Sequence, residues 1–194
     1  VNRSSSPSDV ADCPAPEQGS ILAKAAAAAL ASSSERKSIE YHGQWVTYGE
    51  LARVANRVRT LLADCGANPR APVAFAPRNR PSAIAALIGL VASARTIRMM
   101  YAYQSGEALA ANFARIKGSV MVADAEDFTP SLIEQLQASG SVGIAISANG
   151  AEFVGGLDRV ACPIDPQAPE VPTFEMLTSG TTGPAKLWPL TYDL

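Results

Sequence analysis

The sequence predicts an α/β fold, with a mainly parallel sheet flanked by helices. Two observations carry that expectation. From Val73 to Ile146, short β-prone apolar runs alternate with helical runs, and strands separated by helices pair in parallel through crossovers. Of the 194 residues 47% are hydrophobic and only 18% charged, against about a quarter in typical chains, and alanine makes up the difference. Small side chains of that kind suit helices packed closely on a sheet.

Residues 1–18, rich in Ser, Pro and Asp, read as a mobile tail, and 19–194 as the folded unit. An alanine-rich helix follows from Ser20 to about Ser33. It contains Lys24 and follows an acidic lead, unlike a signal peptide, and no run approaches the roughly 20 apolar residues of a membrane span. Ile39 to Val46 alternates around His42-Gly43, the pattern of a hairpin, so His42, the single histidine, reads as a turn residue and not as a base.

Thr47-Tyr48-Gly49-Glu50 has the form of a capping box, with Val46 and Leu51 placed as a hydrophobic staple. The helix it starts should bury Leu51, Val54, Val58, Leu61 and Leu62 and stop at Gly66. Val73–Ala76 reads as a buried strand. Pro81 opens a helix from Ser82 to Ala94 that is apolar nearly all round, so other layers should cover it on both sides.

Thr96–Met100 is the next strand. Arg98 breaks its apolar run, which leaves an edge position, a strand end and a salt bridge all open. Gly106–Lys117 forms a helix with Leu109, Phe113 and Ile116 inward, Val120–Ala123 a strand, and Ser131–Ser139 a helix with Leu132, Ile133 and Leu136 inward. Val142–Ile146 closes the alternating block. Residues 147–172, with Gly155-Gly156 and prolines at 163, 166, 169 and 172, read as an extended crossing segment before a strand at Thr173–Leu177.

Several function classes are disfavoured. A net charge of −2 provides no basic field for nucleic acid. Cys13, Cys65 and Cys162 are too widely spaced for a zinc site and odd in number for a disulfide framework, so the reducing cytosol is the expected compartment. No G-x-G-x-x-G fingerprint occurs, which argues against a nicotinamide enzyme.

The stretch richest in chemistry is Thr178-Ser179-Gly180-Thr181-Thr182-Gly183-Pro184-Ala185-Lys186. Two glycines free the backbone to turn N–H groups onto a ligand, four hydroxyls donate, and one lysine supplies compact positive charge, together a cradle for phosphate. It is not a Walker A loop: Gly180 and Gly183 are too close, and Leu187 follows the lysine where Ser or Thr is required.

This stretch closely resembles the signature loop of the adenylate-forming superfamily of acyl-CoA synthetases, peptide-synthetase adenylation domains and luciferases. Ala185 stands where that pattern has proline, Leu187 where it has glycine, and Leu190-Thr191-Tyr192 where it has a Leu-Thr-His entry to a helix. Thr47-Tyr48-Gly49-Glu50-Leu51 is a second point of similarity. Ala92–Arg95 and Tyr101–Tyr103 depart from the family, which usually has a glycine in the turn and a proline closing the strand.

The resemblance implies the N-terminal part of an AMP-binding adenylation domain, ending after the phosphate loop. Its implied substrates are ATP, a carboxylic acid, and coenzyme A or a carrier-protein thiol as acceptor. Thr178, Ser179, Gly180, Thr181, Thr182, Gly183 and Lys186 would bind the ATP phosphates. The magnesium ligand, the ribose-binding aspartate, most of the acyl pocket and a mobile-domain lysine are expected downstream of residue 194. The chain by itself is therefore expected to be inactive. The alternative reading is a non-catalytic α/β interaction module that keeps the loop as a relic.

Overall fold

Local signals begin the fold. In the computed structural model, which describes residues 20–31, 34–160, 171–178 and 186–192, Ser20 caps α1 (Ile21–Leu30) by accepting the Ala23 N–H at 3.1 Å. Strands β1 (Lys37–Tyr41) and β2 (Gln44–Thr47) meet at His42 and Gly43, whose φ angles of 50° and 76° give the doubly positive turn that suits a twisted two-residue hairpin. The tail at 1–18 and the prolines at 163, 166 and 169 lie outside the described residues.

The capping box forms as expected. Glu50 N–H donates to Thr47 Oγ1, and Glu50 Oε2 accepts the Thr47 N–H at 2.8 Å, which starts α2 (Tyr48–Asp64). Val46 and Leu51 pack in one cluster, so the staple is present too. All five apolar residues expected on the inner stripe are buried, and Gly66 follows the helix at φ 74°.

Next come β3 (Val73–Ala76), α3 (Pro81–Ala92), β4 (Ile97–Met99), α4 (Gly106–Ile116), β5 (Val120–Asp124), a 3-10 turn (Ala125–Asp127), α5 (Pro130–Ala138) and β6 (Val142–Ser147). Their strands pair in parallel, β6-β5-β3-β4, and β8 (Thr173–Thr178) adds parallel to β4.

Period-two alternation divides the core. Val73, Phe75, Val120 and Val122 face α2 and α3, whereas Ala74, Ala76, Met121 and Ala123 face α4 and α5. The result is helix, sheet, helix, with α1 laid over α2 and α3. That second covering explains why α3 is apolar almost all round. Gly89 marks the tightest approach: an added Cβ would sit 2.8 Å from the Ala55 carbonyl oxygen of α2.

One expectation is corrected. The segment 147–172 does not simply cross the fold: β7 (Gly150–Phe153) folds back antiparallel on β6, and Arg57 Nε of α2 donates to the Ala151 carbonyl at 3.1 Å. Gly-Ala-Glu-Phe has little strand signature of its own, so the paired edge of β6 creates this strand. At the other edge, Leu190-Thr191 closes β9 (Lys186–Thr191), antiparallel to β8, where Pro189 is tolerated because the strand is terminal in the sheet; residues 193 and 194, where a helix entry would follow, lie outside the described residues.

Candidate functional site

A parallel sheet gathers its strands' carboxyl ends on one rim, and ligands of α/β folds bind there. β8 reaches this rim at Thr178 because it runs parallel to β4, with Ile97 opposite Phe174, Arg98 opposite Glu175 and Met99 opposite Met176. β9 departs from the same place, since Lys186 is the register partner of Thr178. The first and last residues of the expected phosphate cradle are thus brought face to face. Ser179, Gly180, Thr181, Thr182 and Gly183 lie outside the described residues, and Thr178 and Lys186 are located by their backbones.

Two buried contacts hold this hairpin against the sheet. Arg98 Nε donates to Glu175 Oε2, and Arg98 Nη1 donates to the Ile116 carbonyl at 2.7 Å, so the arginine locks β4, β8 and the end of α4 together. Arg98 therefore sits in an interior strand as half of a buried ion pair, which answers the question its sequence position left open. At the far end, Tyr192 stacks on Phe174 with ring centroids 4.9 Å apart and donates its hydroxyl to the Arg95 carbonyl at 2.5 Å. Burial raises the Tyr192 phenol, so it stays a neutral donor.

The neighbouring strand ends carry a charged cluster that sequence reasoning missed. Arg78 grips Asp127 with Nη2–Oδ1 at 2.7 Å and Nε–Oδ2 at 3.0 Å, while Arg80 bridges Asp124 at 3.1 Å and Glu126 at 2.7 Å. Hydrogen bonding to Asp127 holds the Arg78 pKa above its ordinary value. Burial pushes the Asp124 carboxyl up, partly opposed by Arg80, and its Oδ2 has no hydrogen-bond partner among the described residues.

With three carboxylates against two guanidiniums, this cluster ties the loop after β3 to the turn after β5 and offers no surplus positive charge to a phosphate. The signal for it was present: Arg78-Asn79-Arg80 follows the buried strand β3 after a single intervening residue, and Asp124-Ala125-Glu126-Asp127 begins at the last residue of the buried strand β5.

Tyr101 and Tyr103, just past β4, are both exposed on this rim, with ring centroids 5.8 Å apart. The Arg78 guanidinium lies 5.3 Å from the Tyr103 ring, and the Tyr103 hydroxyl accepts the Asn79 N–H at 2.9 Å. Tyr101 lies two residues beyond Met99, as Thr178 lies two beyond Met176, the register partner of Met99. A cleft of about 510 Å³ opens further along the rim, between Trp45, Leu51, Arg80, Asp124 and Ile146. Among the described residues no group of three or more His, Cys, Asp or Glu side chains is arranged to hold a metal ion.

Comparison with known proteins decides the family. The model of the AMP-binding enzyme family matches residues 25–193. The chain belongs to the AMP-binding enzymes.

Within this family it is 27% identical over 152 residues to the medium/long-chain-fatty-acid–CoA ligase FadD6 of Mycobacterium tuberculosis, a match covering 77% of this chain and 25% of the ligase. The chain thus spans about a quarter of that relative's length. Among solved structures, ATP-bound MatB from Rhodopseudomonas palustris superposes with a TM-score of 0.63 at 17% identity, over 89% of this chain and 35% of MatB. A red-emitting luciferase from Phrixothrix hirtus gives 0.64 at 15% identity, over 90% of this chain and 46% of the luciferase. At such identities the likeness is one of fold. The parallel sheet and flanking helices of this AMP-binding chain are those of adenylate-forming enzymes. No helix among the described residues is long and apolar enough to cross a membrane.

Proposed function

We propose that this chain is the N-terminal part of an ATP-dependent acyl-activating ligase, with residues 19–194 contributing the phosphate-gripping part of its adenylation domain. One observation carries the proposal: in an AMP-binding family member, a glycine- and hydroxyl-rich loop closed by a lysine joins β8 to β9 on the carboxyl rim of a parallel sheet. In this reading the backbone N–H groups and hydroxyls of Thr178, Ser179, Thr181 and Thr182 hold the β- and γ-phosphates of ATP, Gly180 and Gly183 let the backbone approach them, and Lys186 offsets their charge.

An oxygen of the substrate carboxylate then attacks the α-phosphorus, and the bond to the bridging oxygen of pyrophosphate breaks, giving an acyl-adenylate. A thiolate, from coenzyme A or a carrier-bound pantetheine, next attacks the acyl carbon and displaces AMP. The chain's contribution is positioning and charge stabilisation at the first step. Magnesium, when bound, supplies further neutralisation of the phosphates, and its ligand is expected in the remainder of the enzyme.

Alone, the chain should bind ATP weakly and catalyse nothing. Charge-assisted contacts from an exposed loop contribute about 1 kcal/mol each, whereas millimolar affinity already requires about 4 kcal/mol net of immobilisation. Calorimetry should therefore give millimolar or weaker ATP binding, and micromolar binding would contradict the assignment of the adenine and ribose contacts to other parts of the enzyme. In the complete enzyme, ATP–pyrophosphate exchange should require a carboxylic acid and fall by about 10²-fold in Lys186→Ala. Exchange that ignores the acid, or that survives the substitution, would refute the ligase.

A further inference from the structure

Arg95 has no role in the adenylating rim, and its surroundings are unusual. It lies between α3 and β4, at the amino end of the sheet and opposite the phosphate loop. The residue is 94% buried (6% exposed), yet no carboxylate among the described residues pairs with it. Its Nη1 donates to the Asn68 carbonyl at 2.7 Å. The other edge of the guanidinium, Nε with Nη2, makes no hydrogen bond among the described residues. A buried cation without a counter-charge is unfavourable, and burial depresses its pKa accordingly.

Arg95 lines a cleft of about 560 Å³ formed with the last turns of α2, the approach to β3 and the end of α3. Arg59 and Asn56 line the same cleft. Arg59 commits only Nη1, to Asn56 Oδ1 at 3.2 Å, which leaves its remaining donors and the Asn56 amide N–H groups for a ligand. Thr60 and Ser93 spend their hydroxyl hydrogens on the Asn56 and Gly89 carbonyls. The lining carries two positive charges and no acid; Asp64, the nearest acid along α2, is not part of it. An Nε–Nη2 guanidinium edge is the geometry that holds two oxygens of one oxyanion side by side, and a second guanidinium alongside suits a doubly charged one.

We propose that this cleft is a second anion site that binds a phosphate group, with Arg95 holding two of its oxygens and Arg59 and Asn56 donating to the others. The site is separate from the ATP-phosphate loop, which lies at the opposite end of the strands, and does not depend on that reading. The bound phosphate supplies the counter-charge that no acid among the described residues gives Arg95.

The test is thermal unfolding of the whole chain titrated with inorganic phosphate, ionic strength held constant with sodium chloride, and sodium acetate run in parallel. A saturating rise in Tm is expected with phosphate and not with chloride or acetate. Arg59→Gln, at an exposed position that leaves the core intact, should raise the half-saturating phosphate concentration about tenfold or more. Lys186→Ala should leave it unchanged, and Arg95→Gln should abolish the response. Equal stabilisation by chloride or acetate, or no effect of Arg59→Gln, would overturn the site. So would loss of the response in Lys186→Ala with Arg59→Gln unaffected, because phosphate would then be read at the other loop.

Discussion

Glu175→Gln probes the joint that seats the Thr178–Lys186 segment, the proposed phosphate loop, on the sheet. The substitution keeps the side chain's volume and removes its charge, leaving Arg98 only 6% exposed and facing a neutral amide in the middle of the β4–β8 pair. Both partners are buried and directly opposite in register, so solvent screens little of the loss. Removing one half of a buried pair costs about 3–5 kcal/mol, because the remaining ion loses a counter-charge it meets away from solvent. The hydrogen bond from Arg98 to the Ile116 carbonyl persists and places the expectation toward the lower end.

At about 2–4 °C per kcal/mol for a chain of this size, Tm should fall by about 6–20 °C. Urea unfolding measures the same quantity and reports through the slope whether the native state has loosened. The double variant Arg98→Met, Glu175→Leu removes both charges and should recover most of the loss. A cost below about 1 kcal/mol for Glu175→Gln, or a double variant as unstable as the two singles added together, would refute the account.

Two further substitutions test the packing and the charged rim. Gly89→Ala would gain up to about 1 kcal/mol in an open helix, but here the new Cβ meets the Ala55 carbonyl oxygen at 2.8 Å, so a loss of about 1–3 kcal/mol and a lower Tm are expected. A rise in Tm would show that α2 and α3 separate freely. Asp124 has its folded-state pKa raised above 3.8, chiefly by burial, so the folded chain holds a proton that the unfolded chain releases. Its contribution favours folding at acid pH and declines as pH rises from about 4 through the raised value. Asp124→Asn should therefore gain stability relative to the parent between pH about 4 and 7 in parallel melts, and a constant difference would remove Asp124 as the source.

Much of the architecture was legible because its signals are local. The Thr47–Glu50 box, the positive-φ turn at His42-Gly43 and the spacing of Leu51, Val54, Val58, Leu61 and Leu62 each act within a few residues, and each appears as expected. The proposed phosphate cradle rests on a different kind of signal: an unusual density of glycine, hydroxyl and lysine in nine residues, whose chemistry is proposed from the sequence whatever the surrounding fold. β7 and β9 were not legible. Gly150–Phe153 has no alternating pattern and Lys186–Thr191 contains a proline, and both become strands because a neighbouring edge supplies their hydrogen-bond partners.

By itself, then, the sequence determined the helix starts and stops, the turns, and the alternation that builds a parallel sheet, and it nominated the groups proposed to hold phosphate. Only the tertiary structure decided the strand order, and with it the partner of every buried charge. Arg98 meets Glu175 across 77 positions of sequence, Arg78 meets Asp127 across 49, and the Arg95 carbonyl receives the Tyr192 hydroxyl across 97, while the Arg95 guanidinium meets no acid among the described residues. The physical reason is that caps and periodicity depend on neighbours along the chain, whereas the neutralisation of a charge depends on which strands and helices lie side by side.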